Sequence, residues 1–562
     1  MRLRKTREKT VITLDIGAFR AKETIRWCPE HPLEFASSEL RALTPAQCTF
    51  GFDILVYVGK ALYLRGKNEP EIIAELHERN MAVSDREIGY LGKKFVLYVT
   101  LLHQESQAQI QRALVSQGGY ILHVDGTCEG DSPHLFTGMD GISQWILAGA
   151  KLPSENADDI IAFFRAIQRN YGDPIALVHD MGKGILKAVQ EVFPGLPDFI
   201  CHYHFLRDLG NDLLKQNHEE LIARLRKLKI RATLRYQAKT LEPFFHENKQ
   251  RLHKLLREEH PNPRSIVSQV PAAFAYALLH WALHPIDQLG GYGFPFDRPH
   301  VLLAQRLKEM EQTFGRLIKA SFRGDLRVLE SNWPFFRLFR ELQPMVKDEE
   351  LNQILSQIEE KIEIFDQFRY ALNLALPDGK RGLNDDGENE NIKTIEARVI
   401  HFRKEIAEDP YYADKKYYRT MIAQIDKYWN KLFADPISVN TPQGPLLIQP
   451  QRTNNIMERF FRDIRRRYRK KSGVASFRRT LKTMLPSTPL VCNLEHEEYE
   501  KIMLNGCVNL EERFAQMDSR LISEQIQQSR VRPDILPMKI KKIIGTTNFP
   551  KKLNSLYATI FG

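Results

Sequence analysis

A chain of 562 residues with 43% hydrophobic and 10% aromatic residues can bury more than one core, which excludes a disordered or fibrous chain and points to two to four domains. Its 81 Lys and Arg against 70 Asp and Glu leave a net charge of +11, a balance that suits polyanionic partners without choosing among them. Six scattered cysteines do not make a disulfide framework at this length, and nowhere do about eighteen apolar residues run together, so a reducing compartment is expected and neither a signal peptide nor a membrane span is.

Residues 1–50 read as a small β-rich region, because TVITLDIGAF and ETIRWC have strand-like composition and are punctuated by Gly and Pro. Cys28 and His31 form a Cys-x-x-His pair and Cys48 follows, but a tetrahedral zinc site needs four ligands and only three are present. A metal-free strand pair is the preferred reading.

Over 51–117 the pattern turns helical. FDILVYVGKALYL forms one apolar helix, PEIIAELHERN a second with Pro70 in its first turn, and Ser84-Asp85-Arg86-Glu87 is a capping box that opens a third. Three helices with a tight second connection are a helix-turn-helix candidate. In that motif Asp85, Arg86 and Tyr90 would face bases, with Lys93 and Lys94 nearer phosphates. An ordinary helical bundle carries capping boxes just as readily.

Residues 118–208 alternate strands and helices. GYILHVDGT, HLFTGMDG and QWILAGAKL come first, then a helix, PIALVHD, a second helix and DFICHYH. Three strands, helix, strand, helix, strand is the layout of a ribonuclease-H-like core. From 209 to 445 the chain is mostly helical, with a turn at GGYGFPFDRP and a polar, mobile loop expected at PDGKRGLNDDGENEN. Helical pattern resumes at Asn454, so 446–485 reads as the second part of the core and 486–562 as a helical tail. The fold class expected is therefore α/β, a ribonuclease-H-like core interrupted by a large all-α insertion and preceded by a helix-turn-helix region.

Asp125 ends an apolar strand and is followed at once by Gly126; Asp180 repeats the arrangement after IALVH, with Gly182 behind it. Strand-end aspartates in one sheet can converge on one cleft, where carboxylate oxygens suit Mg²⁺ or Mn²⁺ ions held roughly 4 Å apart for phosphoryl transfer. Taken singly, each could equally be a turn former. A helix over Thr453–Lys471 stacks Met457, Phe461, Ile464 and Tyr468 on one stripe and leaves Glu458 on its flank, at the head of a row of Arg462, Arg465 and Arg469. That row suits a metal ligand followed by a phosphate-tracking ridge; a solvated basic helix with an internal Glu458–Arg462 pair is the bland alternative. Asp140 and Asp173 carry ordinary turn chemistry, before Gly and before Pro, and Asp463 lies off the Glu458 flank.

After Asp180 come VFPGLP and then Cys201-His202-Tyr203-His204. This block resembles the second-aspartate block of insertion-sequence, Mutator-like and hAT transposases, in which a Cys-x-x-His signature follows the second catalytic Asp and a helical insertion precedes the catalytic Glu. The resemblance covers about 118–206 and 450–475. It implies Asp125, Asp180 and Glu458 as a DDE triad holding two Mg²⁺ or Mn²⁺ ions, with Cys201 and His204 as the signature pair in a supporting role or as a packing pair. Arg465 stands where some related families place a basic residue, whereas Gln451 and Asn454 replace the Tyr and Arg of one such motif.

The expectation is a DNA transposase that binds terminal inverted repeats, cuts each end of its element and joins the 3′-hydroxyls to target DNA. A homodimer or larger assembly on double-stranded DNA follows from the need to hold two ends, and a prokaryotic, nucleoid-associated cytoplasmic setting from the resemblance. The rivals are a nuclease of the same core without strand transfer and a domesticated DNA-binding regulator.

Overall fold

Alternating strand-forming residues at the start of the chain pair into a long antiparallel hairpin, β1 (Arg2–Thr13) with β2 (Gly17–Trp27). The structure is a computed structural model that describes residues 2–28, 34–35, 37–45, 48–257, 270–284, 290–321, 333–376, 391–433, 435–530, 540, 543–544 and 548–561. It is a mixed α/β molecule of two units, one formed by Met1–Phe199 with Ala434–Gly562, the other by Ile200–Phe433. β3 (Glu34–Phe35) adds a third strand beside β2. Of the cysteine–histidine trio, His31 lies outside the described residues and Cys48 is buried.

Helix α1 (Ser38–Leu43) is followed by α2 (Phe52–Tyr63), α3 (Glu69–Glu78), α4 (Asp85–Glu105) and α5 (Gln107–Ser116). Both α3 and α4 begin on capping boxes. At α4 the Ser84 backbone N–H donates to Glu87 Oε2 at 2.8 Å while Ser84 Oγ accepts from the Glu87 N–H. Beyond its first turns α4 is buried almost all round, from Phe95 to His103, because the C-terminal segment packs on it: Phe514 meets both Phe95 and Tyr98. The stretch 486–562 is thus only in part a tail. Leu490, Val491, Tyr499, Met503 and Phe514 belong to the core, whereas the described side chains over 550–560 are exposed.

His103 sits in that shared core, its Nδ1 2.6 Å from the Tyr499 hydroxyl and its Nε2 2.6 Å from that of Tyr171. Burial pushes its pKa down from 6.5 to about 4. Between those values the unfolded chain takes up a proton that the native imidazole refuses, so stability falls as pH falls. The share lost by full protonation is on the order of 3 kcal/mol. Thermal melts from pH 7 to 4.5 should show a steep decline, and His103→Gln, which cannot be protonated, should make it shallower; an unchanged slope would remove His103 as the cause.

The central sheet comprises β4 (Ile121–Thr127), β5 (His134–Asp140), β6 (Ile146–Leu152), β7 (Ala176–His179) and β8 (Asp198–Ile200), in the order β6-β5-β4-β7-β8. β4 runs antiparallel to β5 and parallel to β7. Between the strands lie α6 (Ala157–Tyr171) and α7 (Lys183–Val192), whose apolar faces carry Phe163, Phe164 and Ile167, and Ile185, Ala188 and Val189, into the core. Each such large side chain taken from water contributes roughly 1.5–3 kcal/mol.

The second unit contains helices joined by turns and no strand among its described residues after Ile200, beginning with α8 (His202–Lys227) and α9 (Ile230–Arg257) and ending with the helices Lys416–Lys427 and Trp429–Leu432. Its span, Ile200–Phe433, differs from the expected 209–445 at both ends. At the later end, Ile437–Thr441 (β9) and Gly444–Ile448 (β10) form a hairpin in the first unit, a pairing that three prolines in 436–445 disguise as loop. The turn at 290–297 is built as expected, with Asp297 accepting from the N–H groups of Gly290 and Gly293. The polar loop at 377–390 lies outside the described residues. No helix among those described is long and apolar enough to cross a membrane.

Candidate active site

Parallel pairing sets the first two carboxylates side by side. His123 of β4 pairs with Val178 of β7, and the same register carried two residues on puts Asp125 opposite Asp180, at the carboxyl ends of adjacent strands. Asp180 Oδ1 accepts from the Gly182 N–H at 3.1 Å, and Asp125 Oδ1 from the Gly126 N–H at 2.7 Å. Each carboxylate is thereby tied to the turn behind it.

Glu458 arrives on the helix Asn455–Ser472, whose N-cap residue, Asn454, is fully buried. Asn454 Nδ2 donates to the Val124 carbonyl at 2.8 Å, one residue before Asp125, which turns its Oδ1 toward His123 Nδ1 at 3.0 Å. His123 must therefore donate from Nδ1 and is neutral, burial having pushed its pKa to about 4. The Glu458 N–H returns to the Asn454 carbonyl at 3.3 Å. One buried amide thus pins the first turn of this helix, and Glu458 with it, against β4.

The result is a group of like charges. Asp125 keeps partial exposure at its strand end, yet its carboxyl is held well above the usual carboxylate range, by desolvation first and then by Asp180, with Glu458 and Glu155 adding to the shift and the Gly126 N–H opposing it. Two of the residues singled out from sequence, Asp180 and Glu458, therefore act on the third, Asp125. Glu155 is a fourth member that sequence reasoning missed. It lies in the loop from β6 to α6, its Oε1 is 2.9 Å from His134 Nδ1, and it comes so close that a Cβ at Gly126 would collide with its carboxylate and one at Gly184 with its carbonyl. Gly126 at the end of β4 and Gly184 in the first turn of α7 were the available signal.

Carboxylates gathered around the desolvated Asp125 have the donor chemistry for hard divalent cations such as Mg²⁺ or Mn²⁺. Among the described residues, no three His, Cys, Asp or Glu side chains are drawn together closely enough to enclose an ion. The charge fits a cation, then, while the side chains stand apart from closed coordination.

Arg462, Arg465 and Arg469 run down the exposed side of the same helix and enter no ion pair among the described residues; Arg465 stacks over Phe477. Arg467, by contrast, donates from one guanidinium nitrogen to both carboxylate oxygens of Glu495, and Asp463 lies 3.9 Å from Arg466. Asp140 is fully buried as a turn builder, accepting from Gln117, Ile121, Ile142 and Ser143, and Asp173 accepts from Gln168.

On α4, Asp85, Arg86, Tyr90 and Lys93 are exposed, but Lys94 is buried. Burial lowers the Lys94 pKa, with Cys48 opposing and Lys9 assisting the shift. It cannot serve as a phosphate contact, because the helix turns this position inward with Leu91 and Phe95. Cys201 caps α8 and His204 lies in its first turn, both buried, at the start of the second unit.

No protein-family model matches this chain, and neither does any curated protein.

Proposed function

We propose that this chain is a DNA transposase of the DDE type, with Asp125, Asp180 and Glu458 as its catalytic carboxylates. The observation that carries the reading is that Asn454 ties the helix bearing Glu458 to β4, whose end carries Asp125 beside the β7 strand end that carries Asp180. The sheet order, three antiparallel strands followed by parallel β7, supports a ribonuclease-H-like core, and the contiguous helical unit within a discontinuous one supports an insertion.

Asp125 and Asp180 present oxygens from adjacent strand ends, and Glu458 presents a third set from the helix. Two Mg²⁺ or Mn²⁺ ions held there supply an activated water or 3′-hydroxyl and charge neutralisation at the leaving oxygen. The chain itself contributes orientation. Asn454 fixes the helix that carries Glu458, and the arginine row below it offers three exposed guanidiniums to a phosphate backbone. Joining two ends calls for at least a dimer on double-stranded DNA. The exposed start of α4, with Arg86 and Lys93, is the proposed sequence-reading surface.

Substituting Arg462, Arg465 and Arg469 together by Gln is expected to lower the slope of log affinity against log salt by about 3, since each lost phosphate contact removes about 0.9. A titration of duplex DNA at several salt concentrations reads this directly. An unchanged slope would take the row off the DNA.

The deciding experiment uses precleaved duplexes carrying the DNA that flanks the coding region, with a supercoiled plasmid as target and Mn²⁺ present. Joined product is expected. Cutting without joining would make the protein a nuclease, and DNA binding with neither would make it a regulator.

A further inference from the structure

Where α8 gives way to α9 in the helical unit, four positively charged or protonatable side chains converge. A pocket of about 310 Å³ is lined there by Arg226, Lys229, Arg231 and His300, with Leu225 and Leu303 among its apolar residues and no carboxylate in its wall among the described residues. Arg226, Lys229 and Arg231 enter no ion pair or hydrogen bond from their side chains among the described residues, although Arg224, two residues away, is paired with Asp348 and Glu350. Basic side chains on this unit therefore do find acids where acids are supplied.

Further observations bear on an anion as the ligand. His300 Nδ1 and the neighbouring His218 Nε2 are buried with no hydrogen-bond partner among the described residues, the two rings lying 5.5 Å apart and His218 stacked on Phe294. The His300 pKa is lowered by burial first and then by Arg231, His218 and Arg226, while Glu219 is the acid that acts on His218. The pocket is lined by the last turn of α8 through Leu225 and Arg226 and by the first turn of α9 through Arg231 and Ala232, so the two opposed helix ends offset one another and the side chains supply its charge.

We propose that this pocket binds the phosphate of a nucleotide, with Arg226, Lys229 and Arg231 on the phosphate and the Leu225–Leu303 wall against the sugar or base. The volume suits one nucleotide rather than a length of duplex. The ligand could be a free nucleotide or a nucleotide of a single strand; the chemistry is the same, and the site is independent of the carboxylate cleft.

The test is calorimetry on the full chain in EDTA, which silences divalent sites, with AMP, adenosine and a single-stranded DNA of about ten nucleotides as probes. AMP binding with Kd below about 1 mM, and none by adenosine, is expected. The double variant R226Q/R231Q should weaken it about tenfold or more, as loss of charge-assisted contacts to phosphate implies. Ala232→Glu, at an exposed position that lines the pocket, provides a second variant that brings a repelling carboxylate without removing any packing. Binding of AMP assigns the site to free nucleotide. Binding of the oligonucleotide alone, lost in the same variants, assigns it to a strand. Equal binding of adenosine and AMP, no binding of any probe by the unaltered protein, or unchanged affinity in both variants would overturn the proposal.

Discussion

Asp125→Asn is expected to reduce strand joining by on the order of 10³-fold or more, since it removes a carboxylate proposed to face both metal ions. The same substitution should make the metal-free protein more stable. The folded carboxyl is held well above its ordinary value of 3.8 by desolvation and by Asp180, Glu458 and Glu155. Its contribution to stability is therefore full below 3.8 and is lost as pH rises through the raised value, because the native state must give up a proton it holds more tightly than the unfolded chain does. Asn cannot ionise and removes that loss. Denaturation in EDTA at pH 8 and at pH 4 should show the gain at pH 8 only. Lost activity together with lost stability at pH 8 would mean instead that Asp125 holds the strand end together.

The second large effect is expected at Asn454. Leu fills a similar volume but leaves the Val124 carbonyl and the His123 Nδ1–H, both buried, without partners. Each orphan costs about 1–3 kcal/mol, so denaturant unfolding should show a loss of roughly 2–5 kcal/mol. Joining activity at a temperature where the variant remains folded should fall as well, since the first turn that carries Glu458 is no longer fixed to β4. Asn454→Asp keeps an acceptor for His123 and should lie between the two. If Asn454→Leu unfolded as easily as predicted yet retained full activity when folded, Glu458 would be positioned by something other than this contact.

The strands and helices of the first unit were legible because their patterns are strong and local. Alternation and β-branched runs mark β4 to β7, and Pro70 in the first turn of α3 and the capping box at Ser84 mark where α3 and α4 begin. The pairing of Asp125 with Asp180 was legible in kind, since both end apolar strands before a turn. Other features depended on distant contacts. Lys94 looked like a surface residue because of its charge, although it shares a face of α4 with the buried Leu91 and Phe95, and Cys48 and Lys9 from earlier in the chain act on it. The segment after 486 read as a tail because its short helices carry few apolar residues each; it is the fit of Tyr499 and Phe514 against α4 that makes them core. Glu155 precedes a capping Asn156 and so reads as the approach to a helix, and only the folding back of its loop onto Gly126 brings it beside Asp125. The β9–β10 hairpin has a half-exposed pattern and a proline within a strand, which hides it from any period-2 reading.

The proposal depends on the carboxylates from three separate segments gathering divalent ions. Calorimetric titration of Mn²⁺ into the full chain, beside the triple variant Asp125→Asn, Asp180→Asn, Glu458→Gln, measures this without knowledge of the DNA. Saturable binding of a pair of ions by the unaltered protein, absent from the triple variant, is the predicted result. Binding that persists undiminished in the triple variant would contradict it.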